Sequence, residues 1–348
     1  MISEKRLSQN ILDAGVLNTT PGLKLEAYLN GKKKCSLDLG KTYDIYDLAS
    51  VTKIIFGASL AMDVFEDNKK LLQTPVKEIL PWFIHKKVKV GHLLSHTSGL
   101  VWWRPFYKNL IKEPKGAARW QELIHEIRDQ KLEHFGKAIY SDVGYITMGL
   151  VMREIRSENF YDLWLKLQGK RKLPAGLHFN VENKLQHKKS KYAPTEKGLW
   201  RKKKIQGEVN DDNTWALGGV SVHAGLFGGI EDLSEFGLVL RNSFLGKNKF
   251  LADKKTIRLF TKRAIPQSVG DWGYGFMKPT KGSASCGKYF SLDSFGHLGF
   301  TGTSLWYDPK RDLLITIVSN RTWYGRETNE FAKMRPSLHN LVVEALEK

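Results

Sequence analysis

The apolar positions change period along this chain, and the changes divide it into thirds. Residues 2–16 read as an amphipathic helix, with Ile2, Leu7, Ile11 and Leu12 on its apolar side. Two short strands follow, Leu23–Leu29 and Lys34–Leu39, with Asn30-Gly31 between them as a hairpin signal. From Ser50 to Phe65 the pattern is helical but apolar on nearly every face, through Ile54, Ile55, Phe56, Ala58, Leu60, Ala61, Met62 and Val64. A helix of that kind is buried in the middle of a domain. From about 66 to 210, helical pieces (Val76–Leu80, Val90–Leu94, Trp120–Ile127, Tyr145–Ile155) alternate with Pro- and Gly-marked loops. The last third returns to strands at Thr303–Tyr307 and Leu313–Ser319, joined by the turn Asp308-Pro309-Lys310-Arg311, and closes on a helix over Phe331–Leu346.

Strands at both ends and helices between them predict an α/β (α+β) fold. In the simplest packing, an antiparallel sheet formed by both chain ends and flanked by helices carries an inserted all-helical domain. The expected division is 1–66 with 218–348 as the α/β part and 67–217 as the insertion. No internal repeat is visible. With 348 residues, 41% of them apolar, the chain buries a sizeable core and is not a disordered protein.

Charge adds one feature. The chain has 55 Lys and Arg against 36 Asp and Glu, a net +19. Between Lys166 and Lys204 stand thirteen basic residues and only two acids, Glu182 and Glu196. Such a run is either a solvated face or a surface that draws a polyanion, and it is expected to lie outside any catalytic cleft. No nucleic-acid motif accompanies it. Cys35 and Cys286 are too few for a disulfide framework, and whether they pair is left open. No apolar run is long enough for a membrane span. The first ten residues hold no apolar h-region, so the expected location is cytoplasmic, or periplasmic or exported if a leader has been removed. No cofactor or metal is called for.

The chemistry concentrates at Ser50-Val51-Thr52-Lys53, an S-x-x-K tetrad. A second tetrad, Ser285-Cys286-Gly287-Lys288, lies among small residues with no helical pattern after it. Ser50 instead heads the buried apolar helix. A spacing of three on a helix puts both residues on one face, so the Lys53 amine reaches the Ser50 hydroxyl. The helix N-terminus adds free N–H groups beside the serine. An ammonium in apolar surroundings has its pKa pushed down and can act as a base. Read plainly, Ser50 is an N-cap, but Lys53 then sits on a helix with no polar face.

S-x-x-K is the nucleophile motif of β-lactamases and penicillin-binding proteins, and this chain resembles that family in order along most of its length. It looks most like the branch of class C β-lactamases, esterases and DD-peptidases. Leu48-Ala49-Ser50-Val51-Thr52-Lys53 resembles the nucleophile segment, and Leu93–Leu100 is similar to a signature that follows it. Tyr140-Ser141-Asp142 resembles the second motif, usually Tyr-x-Asn. Gly218–Phe227 resembles the return to the α/β part, and His297-Leu298-Gly299 stands where Lys-Thr-Gly is expected.

The resemblance implies that Ser50 becomes acylated and that Lys53 and Tyr140 share the proton work. It implies an oxyanion hole made by the backbone N–H groups of Ser50 and Phe300, and a substrate-binding role for Asp142, His297 and Gly299. His96, in a turn, is expected to be structural. Two departures alter the pocket's charge: Asp142 replaces an Asn, and His297 replaces the lysine that holds a substrate carboxylate. Neutral esters or amides, or substrates carrying an amine, are then favoured over β-lactams, unless a basic residue elsewhere, such as Arg321 after the last strand, supplies a substitute anchor. Histidine in this motif also occurs in esterase and D-aminopeptidase members. The expected function is therefore a serine hydrolase cleaving an ester or a D-amino-acid or peptidoglycan-type amide. The alternatives are an idle relative that binds cell wall or a protein partner, and a polyanion binder.

Overall fold

The structure, a computed structural model, describes residues 3–347. The described residues form ten strands: β1 Gly22–Leu29, β2 Lys32–Gly40, β3 Tyr46–Asp47, β4 His178–Phe179, β5 Pro194–Gly198, β6 Lys203–Gln206, β7 Leu226–Gly228, β8 Phe295–Leu298, β9 Ser304–Asp308 and β10 Leu313–Ser319. Five make one sheet in the order β2-β1-β10-β9-β8, every neighbour antiparallel. Both chain ends thus share a sheet, as the strand pattern predicts.

The eight α-helices of eight residues or more are α1 Glu4–Asp13, α2 Ser59–Asp67, α3 Ala117–Arg128, α4 Asp142–Arg156, α5 Phe160–Arg171, α6 Ile230–Leu245, α7 Lys254–Thr261 and α8 Glu330–Leu346. Strand alternation assigns the sheet's two faces. Leu313, Ile315 and Ile317 of β10 join Leu7, Ile11, Leu338 and Val342 of α1 and α8 in one apolar cluster. Leu314 and Val318 point to the opposite face, into the larger core that contains α2, α4 and α6. Gly237 of α6 lets the helix pack closely there, since a Cβ would come within 2.7 Å of the Leu314 side chain. The first helix begins at Glu4 rather than residue 2, and Ile2 lies outside the described residues.

Three expectations need correction. The helix over 50–65 is not regular: Ala49–Val51 is a 3-10 turn, Lys53–Ala58 a π-helical run, and only Ser59–Asp67 is α. The inserted segment is not all helix, since it carries β4 and the β5–β6 hairpin, whose short polar strands give no apolar alternation to read. The basic stretch is not wholly a surface. Arg171 is buried against Asp63 (2.6 Å) and Glu66 (2.6 Å), and the Arg201 side chain is buried against Asp212 (2.5 Å). Removing one partner of such a pair costs about 3–5 kcal/mol. Cys35 and Cys286 are both buried and free, and burial pushes each thiol up to about 12. No helix among the described residues is long and apolar enough to cross a membrane.

Candidate active site

The nucleophile turn is fixed before any catalytic group is considered. Ala49 holds a left-handed backbone (φ 46°), a costly conformation for a residue with a side chain. Asp47 secures it: one carboxylate oxygen accepts the Ala49 N–H at 2.8 Å and the other accepts the Asn210 N–H at 2.6 Å. Burial raises the Asp47 pKa to about 6 in spite of these two bonds. Hydroxyls from the far end of the chain complete the clamp. Thr301 Oγ1 donates to the Asp47 carbonyl (2.7 Å) and Thr303 Oγ1 to the Leu48 carbonyl (3.0 Å). They tie the loop between β8 and β9 to the nucleophile turn. Gly299 is obligatory in that loop, because a Cβ would lie 1.8 Å from Thr303 Oγ1.

In a 3-10 turn, positions three apart eclipse, so the first turn sets Lys53 over Ser50. The fully buried Lys53 Nζ donates to Ser50 Oγ at 3.0 Å, Asp142 Oδ1 at 2.6 Å and the His223 carbonyl at 3.0 Å. Its pKa is lowered, by burial first, with Asp142 pulling the other way. The Tyr140 hydroxyl donates to Ser50 Oγ at 2.7 Å. Burial, then the Asp142 charge, hold the phenol well above its ordinary pKa. Asp142 opens α4 behind the N-cap Ser141, whose Oγ accepts the Gly144 N–H at 2.8 Å. Four residues expected at the site are thus joined in one chain of hydrogen bonds, Tyr140 to Ser50 to Lys53 to Asp142. Asp142 is already engaged by Lys53, which leaves less of it for a substrate amine.

His297 lies inside β8, just ahead of β9, and is buried. Its Nδ1–H donates to the Leu298 carbonyl at 2.8 Å, so the neutral ring keeps Nε2 as a bare acceptor, and Nε2 has no partner. Burial, reinforced by the Lys53 charge, drops its pKa to about 3. At neutral pH this ring presents no charge and no donor to a carboxylate. Arg321, the expected substitute, is also committed: it is buried, donates to the carbonyls of Phe300 (2.7 Å) and Thr328 (2.5 Å), and stacks on the Phe300 ring at 4.6 Å.

His96 packs against Tyr140 (4.9 Å), Tyr145 (5.4 Å) and Trp272 (4.3 Å), and its Nδ1 accepts the Ser141 N–H at 3.0 Å. It holds the Tyr140 segment and does not reach Ser50 by any hydrogen bond among those formed. Three contributors are absent from the motif reading. Trp272 walls Tyr140, His96 and His297. His223 offers the carbonyl that Lys53 uses, while its ring is held by Ser221 (2.8 Å) and Asp211 (3.2 Å). Asp47 is the third, and no spacing rule points to it. Among the described residues no cluster of His, Cys, Asp and Glu has the arrangement to hold a metal ion.

A serine flanked by an amine and a phenol, on a turn tied to the β8–β9 loop of a sheet built from both chain ends, defines a class of fold. Solved structures of the same architecture include EstCE1, described as a hydrolase with promiscuous acyltransferase activity. It has a TM-score of 0.71 at 15% identity, over 97% of this chain and 98% of that one. The octameric penicillin-binding protein homologue from Pyrococcus abyssi also has a TM-score of 0.71, at 17% identity, over 100% and 78%. The β-lactamase family model matches residues 41–333, and the chain belongs to that family. Among its relatives, the N-acetylmuramyl-L-alanine amidase of Bacillus subtilis (strain 168) is 28% identical over 315 residues, 81% of this chain and 69% of that protein. A putative D-alanyl-D-alanine carboxypeptidase of Salmonella agona (strain SL483) is 27% identical over 314 residues, 81% and 71%. Members of the family are serine hydrolases.

Proposed function

We propose that this chain is itself a serine hydrolase that works through an acyl-enzyme on Ser50. The observation that carries the reading is the convergence of Lys53 Nζ (3.0 Å) and the Tyr140 hydroxyl (2.7 Å) on one serine oxygen. Loss of a proton from Lys53, eased by burial, leaves an amine beside Ser50. Ser50 Oγ then bonds to the substrate carbonyl carbon and its proton passes to Lys53. The N–H groups of Ser50 and Phe300 stabilise the oxyanion. Arg335, buried, donates to the Gly299 carbonyl at 3.4 Å. That carbonyl shares a peptide with the Phe300 N–H, so the contact polarises the donor. As the tetrahedral adduct collapses, the scissile bond breaks, Tyr140 protonates the departing oxygen or nitrogen, and Lys53 returns a proton to Tyr140. Water repeats the sequence to release the acid.

The preferred substrate is an ester or amide without a carboxylate beside the scissile bond. The uncharged His297, and Arg321 with two of its three nitrogens taken by carbonyls, support this. The amidase and carboxypeptidase names of the two relatives support a peptidoglycan-type amide, and the uncharged His297 favours an amidase or D-aminopeptidase activity over a β-lactamase one. The test is intact-mass detection of acylation with a panel of p-nitrophenyl esters, D-amino-acid amides and penicillins, beside fluorophosphonate labelling and peptide mapping. Label on Ser50 with ester or amide turnover is expected. A label on any other serine with Ser50 free, or no acylation by any panel member, overturns the proposal and leaves a binding role.

A further inference from the structure

The β5–β6 hairpin stands apart from the rest of the basic stretch. Its base is anchored: Asn320 Nδ2 donates to the Pro194 carbonyl at 2.9 Å, and Arg326 bridges Glu196 (3.0 Å) and Asp212 (3.2 Å). At its tip Trp200 stacks on Tyr107 and Arg201 turns inward, while the rest of the turn projects outward. Leu199, at the turn, is 91% exposed, far above any other large apolar residue of the described chain. The tip's cations divide in two. Arg201 and Lys203 have acid partners, Asp212 (2.5 Å) and Glu208 (2.8 Å). Lys197, Lys202 and Lys204 have no ion pair among the described residues and are exposed.

The register makes this costly. Lys197 stands directly opposite Lys204, and like charges facing each other across a ladder destabilise the pair. Lys197 lies 5.9 Å from the Trp323 ring, a contact that steadies it without neutralising it. A soluble polyanion would satisfy the lysines but gives no reason for a solvated leucine between them. A bilayer surface satisfies both: phosphate headgroups meet the lysines while the leucine enters the acyl boundary.

We infer that the tip of this hairpin, Lys197 to Lys204, is a docking surface for anionic phospholipid. The association is peripheral and salt-sensitive, since it rests on one apolar side chain and three lysines. Because Arg326, which grips the hairpin, also lies 5.8 Å from the Phe300 ring, docking sets the Ser50 cleft close to the membrane plane.

Co-sedimentation of the full chain with vesicles of phosphatidylglycerol and phosphatidylcholine (3:7), against pure phosphatidylcholine, tests this. The mixed vesicles should bind at least about tenfold more strongly at low salt, with each lysine contributing roughly fivefold. The double variant Lys202→Gln, Lys204→Gln should lose about 25-fold, and Leu199→Ser several-fold. Lys254→Gln with Lys255→Gln removes the same charge from α7 and should change binding less than threefold. Circular dichroism spectra should match across all variants. Equal binding to both vesicle types, or hairpin variants that bind as tightly as the parent or no worse than the α7 control, overturns the inference. So does heparin binding that survives Leu199→Ser while vesicles are ignored, which would identify a soluble polyanion instead.

Discussion

Ser50 and Ser285 each head a serine-x-x-lysine tetrad, and their surroundings differ in every respect that matters to reactivity. Lys53 is buried with three acceptors, one of them Ser50 itself. Lys288 is exposed, 4.8 Å over the Tyr289 ring and 3.9 Å from Glu344. Ser50 follows a strained turn held by Asp47, whereas Ser285 lies in a loop that turns through Gly287 (φ 89°). The same four-residue pattern therefore specifies nothing alone. Burial lowers the Lys53 pKa, and the 3-10 turn sets its amine over Ser50.

The largest expected effect tests that difference head on. Ser50→Ala should cut ester hydrolysis by roughly 10⁴-fold or more, and Ser285→Ala should leave it unchanged. Equal losses from the two would dissolve the distinction. Next, Lys53→Ala and Tyr140→Phe should each lower kcat by at least about 10²-fold, with Lys288→Ala neutral; full turnover in either active-site variant removes that residue from the mechanism. A smaller effect concerns the pocket's charge. Benzylpenicillin and nitrocefin should be turned over with kcat/KM below about 10⁴ M⁻¹s⁻¹. His297→Lys should raise acylation by them about tenfold or more, on the scale of one charge-assisted hydrogen bond.

The smallest effect is a displacement along the pH axis. Lys53 must lose its proton to act, so activity rises with pH through its lowered pKa. Asp142 favours the ammonium, so Asp142→Asn should move this acid limb to lower pH, by roughly one unit or more. A limb that stays put, or moves upward, would show that Asp142 does not set the Lys53 proton affinity.

Much of the fold was legible in the strands: β1 and β2 alternate apolar and polar residues, and β10 is a run of β-branched and apolar residues buried on both faces. The strand β10 was read to its exact residues, Leu313–Ser319. The strand carrying His297 escaped notice, since Phe295-Gly296-His297-Leu298 is short and glycine-broken. The β5–β6 hairpin escaped because its exposed residues are lysines. At the site, the motifs named the residues that touch Ser50 but not those that fix them. Asp47, His223 and Trp272 act through a carboxylate on a backbone N–H, a main-chain carbonyl and a ring face, none of which leaves a spacing pattern. The state of His297 was legible only in part: its replacement of lysine was visible, its loss of charge to burial was not.

The π-helical run Lys53–Ala58 has a consequence for how this segment tolerates change. A π-turn holds one residue more than an α-turn, so the run offsets the helix on either side of it by about one position, or ~100° of rotation. Before it the chain is phased to chemistry, with Lys53 over Ser50; after it, Leu60, Ala61 and Val64 are phased to the core. Deleting one residue between Ile54 and Ala58 would leave a better helix by every local measure and a worse protein. Either the lysine would swing off the serine or α2, buried all round over Ser59–Phe65, would turn the wrong side chains to its neighbours. Gly57 keeps the wide turn seated, because a Cβ there would come within 2.8 Å of the Tyr145 ring and 2.9 Å of the Val222 carbonyl. The segment behaves as a phase shifter between two registers that no uninterrupted α-helix can serve together.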